Sequence, residues 1–435
     1  MQYTITRRET GWMEAEVTVP LLEVQTRHNA LIKHYQTKNL KIPAPALLKK
    51  QVHELAARQA ARYVCEQERK INWETPEWEV LSSGQDLKLR VSMEVLPEVT
   101  LQGHKELVVE VPPVPIPTEG VLISRTLDQQ YALAEVEEVD RPIQLGDRVL
   151  MDLLTWHEDS LLPMASKANF EYMVYQGTFA PGFAEELIGL AAGDEAQIKS
   201  TLDDNFHLEN YRGQSVLYDV RIHKVFAQTL PPVDELPDLL GFDDVDQMME
   251  HLYQEKLQEN QEKWLKLVRK HLLLRVANSS EFDMPQTLLE AEMISRWEQR
   301  EAPELEKQGL EEAEQDEALE RWLAEPALQE EIYQDLACNL VVRALAHQEN
   351  IDLSPTDILW ALKPFLDTFE MEAEELVQEM RRSGQLGPFC DRLVAEMVMD
   401  TLYDRAQLVC DGEIIKDHYE DTEADVSQTS ATSVS

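Results

Sequence analysis

Residues Phe170–Leu190, FEYMVYQGTFAPGFAEELIGL, constrain the fold more than any other stretch of the chain. Phe170–Tyr175 reads as a strand. Gln176-Gly177 follows as a tight turn, because glycine tolerates positive φ. Pro181-Gly182 then starts a short helix that carries Phe183, Leu187 and Leu190. A strand, a Gly turn and an aromatic-bearing helix in so few residues specify a small β-rich domain with one helix against it. Phe170, Phe179 and Phe183 then serve in one of two ways. They are that domain's core, the plainer reading, or they line an apolar cup of the size that takes a proline ring.

The chain has 435 residues, too many for one ordinary core, so about two to four domains are expected. Its apolar fraction of 43% is adequate for globular folding. No apolar run approaches the ~20 residues of a membrane helix. The start, MQYTITRRETGW, has no apolar core of an export signal, so a cytoplasmic protein is expected. Cys65, Cys338, Cys390 and Cys410 are far apart and form no CxxC pair, which fits free thiols in a reducing compartment.

The net charge of −42 is unevenly placed. Residues 1–110 hold 15 basic and 15 acidic side chains, and the remainder holds 25 basic and 67 acidic. The first 70 residues are mildly basic, with 12 basic against 7 acidic side chains. An acidic body repels nucleic acid and resists self-association, so only the N-terminal part can approach a polyanion.

Alternation over Trp12–Val19 and Leu87–Val95 predicts two strands, with helices over Leu21–Tyr35 and Pro45–Lys70 between them. Leu107–Val111 reads as a strand leading into the stiff linker Pro112–Pro117. Thr118 caps a helix running through Gln130. Strands at Arg148–Leu154, Phe170–Tyr175, Ala196–Ser200 and Ser215–Phe226 surround the short helix in a half-barrel. From Pro231 onward the pattern is helical, with a long helix over Val245–Ala277, another after Pro285 and another over Pro326–His347. Glu301–Glu320, with nine acids and one lysine, reads as a solvated charge run or loose helix. Ser354-Pro355-Thr356-Asp357 is a helix start. Asp411–Ser435 is poor in apolar residues and reads as disordered.

No P-loop, dinucleotide fingerprint, HExxH or GxSxG is present, and the eleven histidines never pair at metal-ligand spacing. No cofactor and no metal is expected. Binding of polypeptide, or catalysis of a conformational change, requires only shape and apolar surface.

Three groups of segments are similar to trigger factor, the bacterial ribosome-associated chaperone family with an FKBP-like prolyl isomerase domain. They are Leu96–Gly103 (LPEVTLQG), Phe170–Glu195 with DDNFHLENYRGQ and the strand into HKVF, and GFDDVDQMMEHL with Phe282–Met293 (FDMPQTLLEAEM). The resemblance implies an α+β multidomain protein. A docking domain spans 1–111. A linker and helix, 112–145, join the C-terminal domain. An FKBP-like half-barrel spans 146–229, and a helical chaperone domain with arms spans 230–412. A disordered tail follows at 413–435. It also implies nascent and unfolded polypeptides and the large ribosomal subunit as partners, no DNA or membrane, and a monomer or weak homodimer.

The family's docking loop, G-F-R-x-G-K-V-P, matches Gln36–Pro43. Lys41, Ile42 and Pro43 keep its end, and Lys38 stands for the arginine. Lysine lacks the guanidinium fork, so bidentate contacts are lost. The resemblance therefore implies weakened docking through Lys38, Lys41, Ile42 and Pro43, with Lys49 and Lys50 adding charge. In the isomerase pocket, Phe170 and Phe183 match aromatics, and Tyr218 keeps one on the back strand. Leu153 and Leu162 replace aromatics, Phe179 and Ala180 replace two aliphatics, and Phe206-His207 replaces a Tyr-His pair. Low but non-zero isomerase activity is expected, the alternative being a non-catalytic holdase or assembly chaperone acting off the ribosome. For client binding, Met248, Met249, Met293, Trp297, Trp360, Phe365, Met371, Met397 and Met399 are candidates. Their helical spacing equally suits a core.

Overall fold

The computed structural model describes residues 1–416 apart from 10, 69, 72, 84–85, 159, 176–178, 205, 207–208 and 370, and no side chains at 367–369. The chain forms two compact units. The first comprises Met1–Gly103, Val276–Gln286 and Ala337–Val398; the second comprises His104–Arg275, Thr287–Leu336 and Met399–Ser435. The helical stretch expected as one domain, 230–412, is thus divided between them. Among the described residues, no helix is long and apolar enough to cross a membrane.

The first unit opens with β1 (Gln2–Glu9), β2 (Trp12–Val19), α1 (Leu21–Thr37), α2 (Pro45–Glu68), β3 (Glu77–Ser83) and β4 (Leu87–Glu94). The strands form an antiparallel sheet in the order β1-β2-β4-β3. Period-two alternation puts Met13, Ala15, Val17 and Val19 on one face, beside Leu87, Leu89, Val91 and Met93 of β4. Helix α2 covers this face with Ala56, Ala57, Ala60, Ala61, Val64 and Cys65. Four alanines let the helix lie close to the sheet. Each large apolar side chain buried here contributes about 1.5–3 kcal/mol. Gly11 turns β1 into β2 at φ 71°, and a Cβ there would stand 2.4 Å from Cγ of Pro285. The turn therefore requires glycine for its conformation and for its space. The backbones of Thr100 and Glu281 exchange hydrogen bonds of 2.9 and 3.0 Å, which fixes 276–286 to this domain.

The second unit begins with β5 (Val108–Glu110) and α3 (Glu119–Ala132), followed by β6 (Glu135–Glu138), β7 (Arg148–His157), β8 (Ser160–Leu161), β9 (Lys167–Met173), α4 (Phe183–Leu187), β10 (Glu195–Thr201) and β11 (Ser215–Thr229). The order is β10-β11-β7-β8, with β9 also on β7 and β6 on β11. This curved sheet wraps α4 and makes a small lobe. Helices α5 (Leu236–Leu240), α6 (Val245–Ser279) and α7 (Gln286–Arg296) follow, then a π-helical turn at Trp297–Glu301. After these come α8 (Ala302–Lys307), α9 (Glu312–Ala324) and α10 (Pro326–Gln348). The acidic run Glu301–Glu320 is ordered as α8 and α9. A capping box between Glu311 and Glu314 starts α9.

The proline linker lies along α6. The indole N–H of Trp264 donates to the Pro112 carbonyl at 2.6 Å, and the Asn260 amide donates to that of Pro115 at 2.7 Å. Helix α3 packs there too, through an Arg125–Glu259 ion pair and a Thr126 contact to Met249. Strand β6, expected within the linker, instead joins the lobe's sheet by pairing with β11.

Helices α11 (Pro355–Phe369) and α12 (Ala373–Ser383) belong to the first unit. The Asp357 amide donates to Ser354 Oγ at 3.2 Å, and the Ser354 amide donates to the Asp357 carboxylate at 2.8 Å, which closes the helix start as its sequence predicts. After α13 (Leu386–Arg405), β12 (Gln407–Cys410) runs parallel to β5, and β13 (Glu413–Lys416) pairs with β12. Residues 413–416, expected as unstructured tail, are therefore strand. Glycine at 412 and the left-handed Asp411 make the hairpin turn that the composition of this segment hid. The remainder of that tail lies outside the described residues.

Candidate functional site

The lobe gathers its aromatics on the concave face of the sheet. Inward positions of β7 supply Val149, Met151 and Leu153, and those of β11 supply Val216, Tyr218, Val220 and Ile222. Gly182, at φ 76°, turns the chain into α4 and aims Phe183, Ala184 and Leu187 inward. Strand β9 adds Phe170 and Tyr172, which share a face two residues apart.

Phe179 stands at the centre. Its ring centroid is 4.9 Å from that of Phe183, 5.5 Å from those of Phe170 and Tyr218, and 6.0 Å from that of Tyr172. Phe183 and Tyr218 meet edge to face at 5.3 Å. Leu153 and Leu162 are buried in the same cluster, and Phe206 packs against it. Ala180 is buried beside them. The residues are thus the lobe's core, the plainer of the two readings, and Phe179 occupies the middle of what we call the aromatic cup. His207 lies outside the described residues. Tyr172 completes the ring and was not singled out from the sequence; its alternation with Phe170 is the signal that marks it.

Burial pushes the Tyr218 phenol up to about 12. The hydroxyl therefore keeps its proton at all ordinary pH and stays a hydrogen-bond donor. Among the described residues no three His, Cys, Asp or Glu side chains are grouped to hold a metal ion. The rings form one closely packed apolar cluster.

The loop 38–44 joins α1 to α2. Asn39 takes a left-handed φ of 56°, and the Leu40 amide donates to the Tyr35 carbonyl at 2.9 Å. This is a Schellman ending, with Asn where glycine is usual. Lys38, Lys41 and Ile42 are exposed, and Pro43 is half-buried. Ile42 and Pro43, with Val24, Ile32, Leu48 and Val52, line an apolar hollow of about 460 Å³.

The candidate client residues separate by burial. Trp360, 71% exposed, and Phe365, 47% exposed, stand out on α11, and Met397 on α13 is 38% exposed. Met249 is half-buried against Thr126. Met371 and Met399 are also half-buried, and Met248 is buried. Met293 and Trp297 are buried in a second core with Trp322, so they supply packing rather than exposed surface. Their i, i+4 spacing is the same in either role.

Residues 244–404 match the family model described as bacterial trigger factor protein C-terminus. The trigger factor of Bacillus pumilus is 27% identical over 319 residues, covering 69% of this chain and 72% of that protein. That of Bacillus subtilis is 27% identical over 320 residues, with the same coverage. The Staphylococcus carnosus trigger factor is 26% identical over 362 residues, covering 80% of this chain and 79% of its own. A solved trigger factor chaperone structure aligns over 92% of the chain with 18% identity and a TM-score of 0.34, too loose to bear on the fold. Over most of its length the chain is thus similar to trigger factors, and its residues 244–404 match the family model of their C-terminus.

Proposed function

We propose that the chain binds unfolded polypeptide on exposed apolar surface of its helices and isomerises Xaa-Pro bonds slowly in the aromatic cup. The chaperone role is the family's; the cup of Phe170, Tyr172, Phe179, Phe183 and Tyr218 carries the catalytic part. Rotation about Xaa-Pro faces a barrier of ~18–20 kcal/mol and needs neither nucleophile nor base. In the planar amide, resonance separates charge between nitrogen and oxygen. A dry aromatic chamber favours the twisted amide, in which that separation is lost. Phe183 and Tyr218 form the floor and back wall on which a proline ring would rest. Phe179 must swing out first, which keeps the rate low. A protease-free assay of an Xaa-Pro peptide with the full chain is expected to give a rate above the uncatalysed one; an equal rate ends the catalytic reading.

Clients would meet α11. Trp360 and Phe365 are large, exposed and close in the chain, and exposed apolar clusters mark interaction surfaces. The double variant Trp360→Ala/Phe365→Ala is expected to lower suppression of aggregation of an unfolded test protein severalfold. Its own unfolding free energy should move by no more than about 0.5 kcal/mol. Undiminished suppression would remove α11 from the client surface.

Docking on the ribosome would use the α1–α2 loop, where exposed lysines border the apolar hollow at Ile42 and Pro43. Lysine-phosphate contacts release counterions, so co-sedimentation with ribosomes should weaken steeply as salt rises. Lys38→Glu/Lys41→Glu should reduce it on the order of tenfold at fixed salt. Co-sedimentation indifferent to both would exclude the loop.

A further inference from the structure

Two apolar clusters of the second unit share a wall. One is the cup's own core. The other is built by Met293 and Trp297, Leu305 of α8, Trp322 of α9 and Ile332 of α10. Met164, Phe206 and Tyr211 pack on both. Leu161 and Leu162 are neighbours in sequence, yet Leu161 is buried in the helical cluster and Leu162 in the cup's.

Polar contacts bind the same wall. The Tyr211 hydroxyl donates to Glu325 Oε2 at 2.7 Å, and the Asn210 amide donates to Glu325 Oε1 at 3.1 Å. Glu325, only 8% exposed, stands just before α10. On another edge of the lobe, the Ala168 amide donates to the Glu304 carboxylate at 3.1 Å. Arg212 Nε donates to the Phe206 carbonyl at 2.7 Å, tying Phe206 to the segment that holds Tyr211.

We propose that helices α7–α10 clamp the rim of the aromatic cup through Tyr211 and Glu325, and that this clamp sets how far the cup opens. The consequence for catalysis rests on the isomerase reading; the mechanical coupling does not. Three observations support a releasable clamp rather than a permanent core. The buried residues of the cup's cluster all come from the lobe itself, so the cup does not need the helices to exclude water. The shared residues are half-buried, as in contacts between domains that move. The indole nitrogen of Trp156 is buried there with no partner among the described residues, an imperfection that opening would relieve. Coupling follows from close packing: Met164 and Phe206 cannot shift on one cluster without shifting on the other.

Hydrogen exchange on the full chain tests this, comparing the parent with Tyr211→Phe and Glu325→Gln. Reporters are the Leu162 amide, bonded to Thr155, and the Phe183 and Glu186 amides at the cup floor. Each variant is expected to speed exchange at these positions and in α9 on the order of tenfold, the worth of a hydrogen bond to a charged group. The double variant should exchange no faster than the singles, because all remove one contact. Unchanged exchange throughout overturns the clamp. Faster exchange confined to α9 and 209–211, with the cup floor unchanged, overturns the coupling. In the same variants kcat/KM for an Xaa-Pro peptide should rise about threefold, mainly through a lower KM. A parent without isomerase activity removes the catalytic reading, while the exchange result still decides the clamp.

Discussion

Phe183→Ala is expected to return the chain to the uncatalysed rate of prolyl isomerisation and to destabilise the lobe by about 3–5 kcal/mol. Phe183 is fully buried, and its ring meets those of Tyr172, Phe179 and Tyr218 edge to face. Removing it leaves a hole at the floor of the cup that β7, β11 and α4 cannot close together. A domain holds only about 5–15 kcal/mol in all, so the loss is severe without being fatal. Urea unfolding measures the cost. Phe183→Leu separates packing from chemistry. It conserves most of the volume, costs less than about 1.5 kcal/mol and removes only the ring. A leucine variant with parental activity would show that the aromatic floor is dispensable.

Phe179→Val is expected to act in the opposite direction, raising kcat/KM for an Xaa-Pro peptide by about tenfold. Phe179 occupies the space a proline ring needs. Displacing a half-buried phenylalanine costs about 1.5 kcal/mol of apolar contact, which corresponds to roughly tenfold in rate. Valine leaves that space open from the start. The gain should appear in KM more than in kcat, since the barrier to opening is removed from binding. A rate unchanged or lowered would mean that Phe179 is part of the substrate platform. The two substitutions therefore sort neighbouring rings into floor and plug.

Much of this architecture is legible in the sequence, for reasons that also explain the rest. Strands β2 and β4 show because one face of each is buried and the alternation is clean. The edge strand β1 escapes notice because its neighbouring charges Arg7 and Arg8 break the alternation, and β3 because its alternation lasts only from Glu77 to Val80. Helix starts at Ser354 and Pro326 are local chemistry and are read correctly. The residue types of the cup are visible in Phe170–Leu190, but the central place of Phe179 depends on rings brought from β9 and β11. No local pattern carries that. Met293 and Trp297 show the same limit: helical spacing fixes that they share a face, while the neighbours that cover it come from α9 and α10. Asn39 was readable in principle, since it is one of the few residue types at ease with a left-handed conformation.

The pairing of β5 with β12 carries a consequence for how the chain comes into being. Val108 and Gln407 are register partners in a parallel ladder, though about two thirds of the chain separates them. A parallel strand has no hairpin route to its partner, and long-range closure must wait for the later segment. During synthesis, β5 therefore leaves the ribosome far ahead of the strand that will complete its sheet. The lobe between them can fold as soon as it emerges, but the second unit stays open until translation reaches β12. A product cut short before residue 407 would leave an unpaired edge at β5.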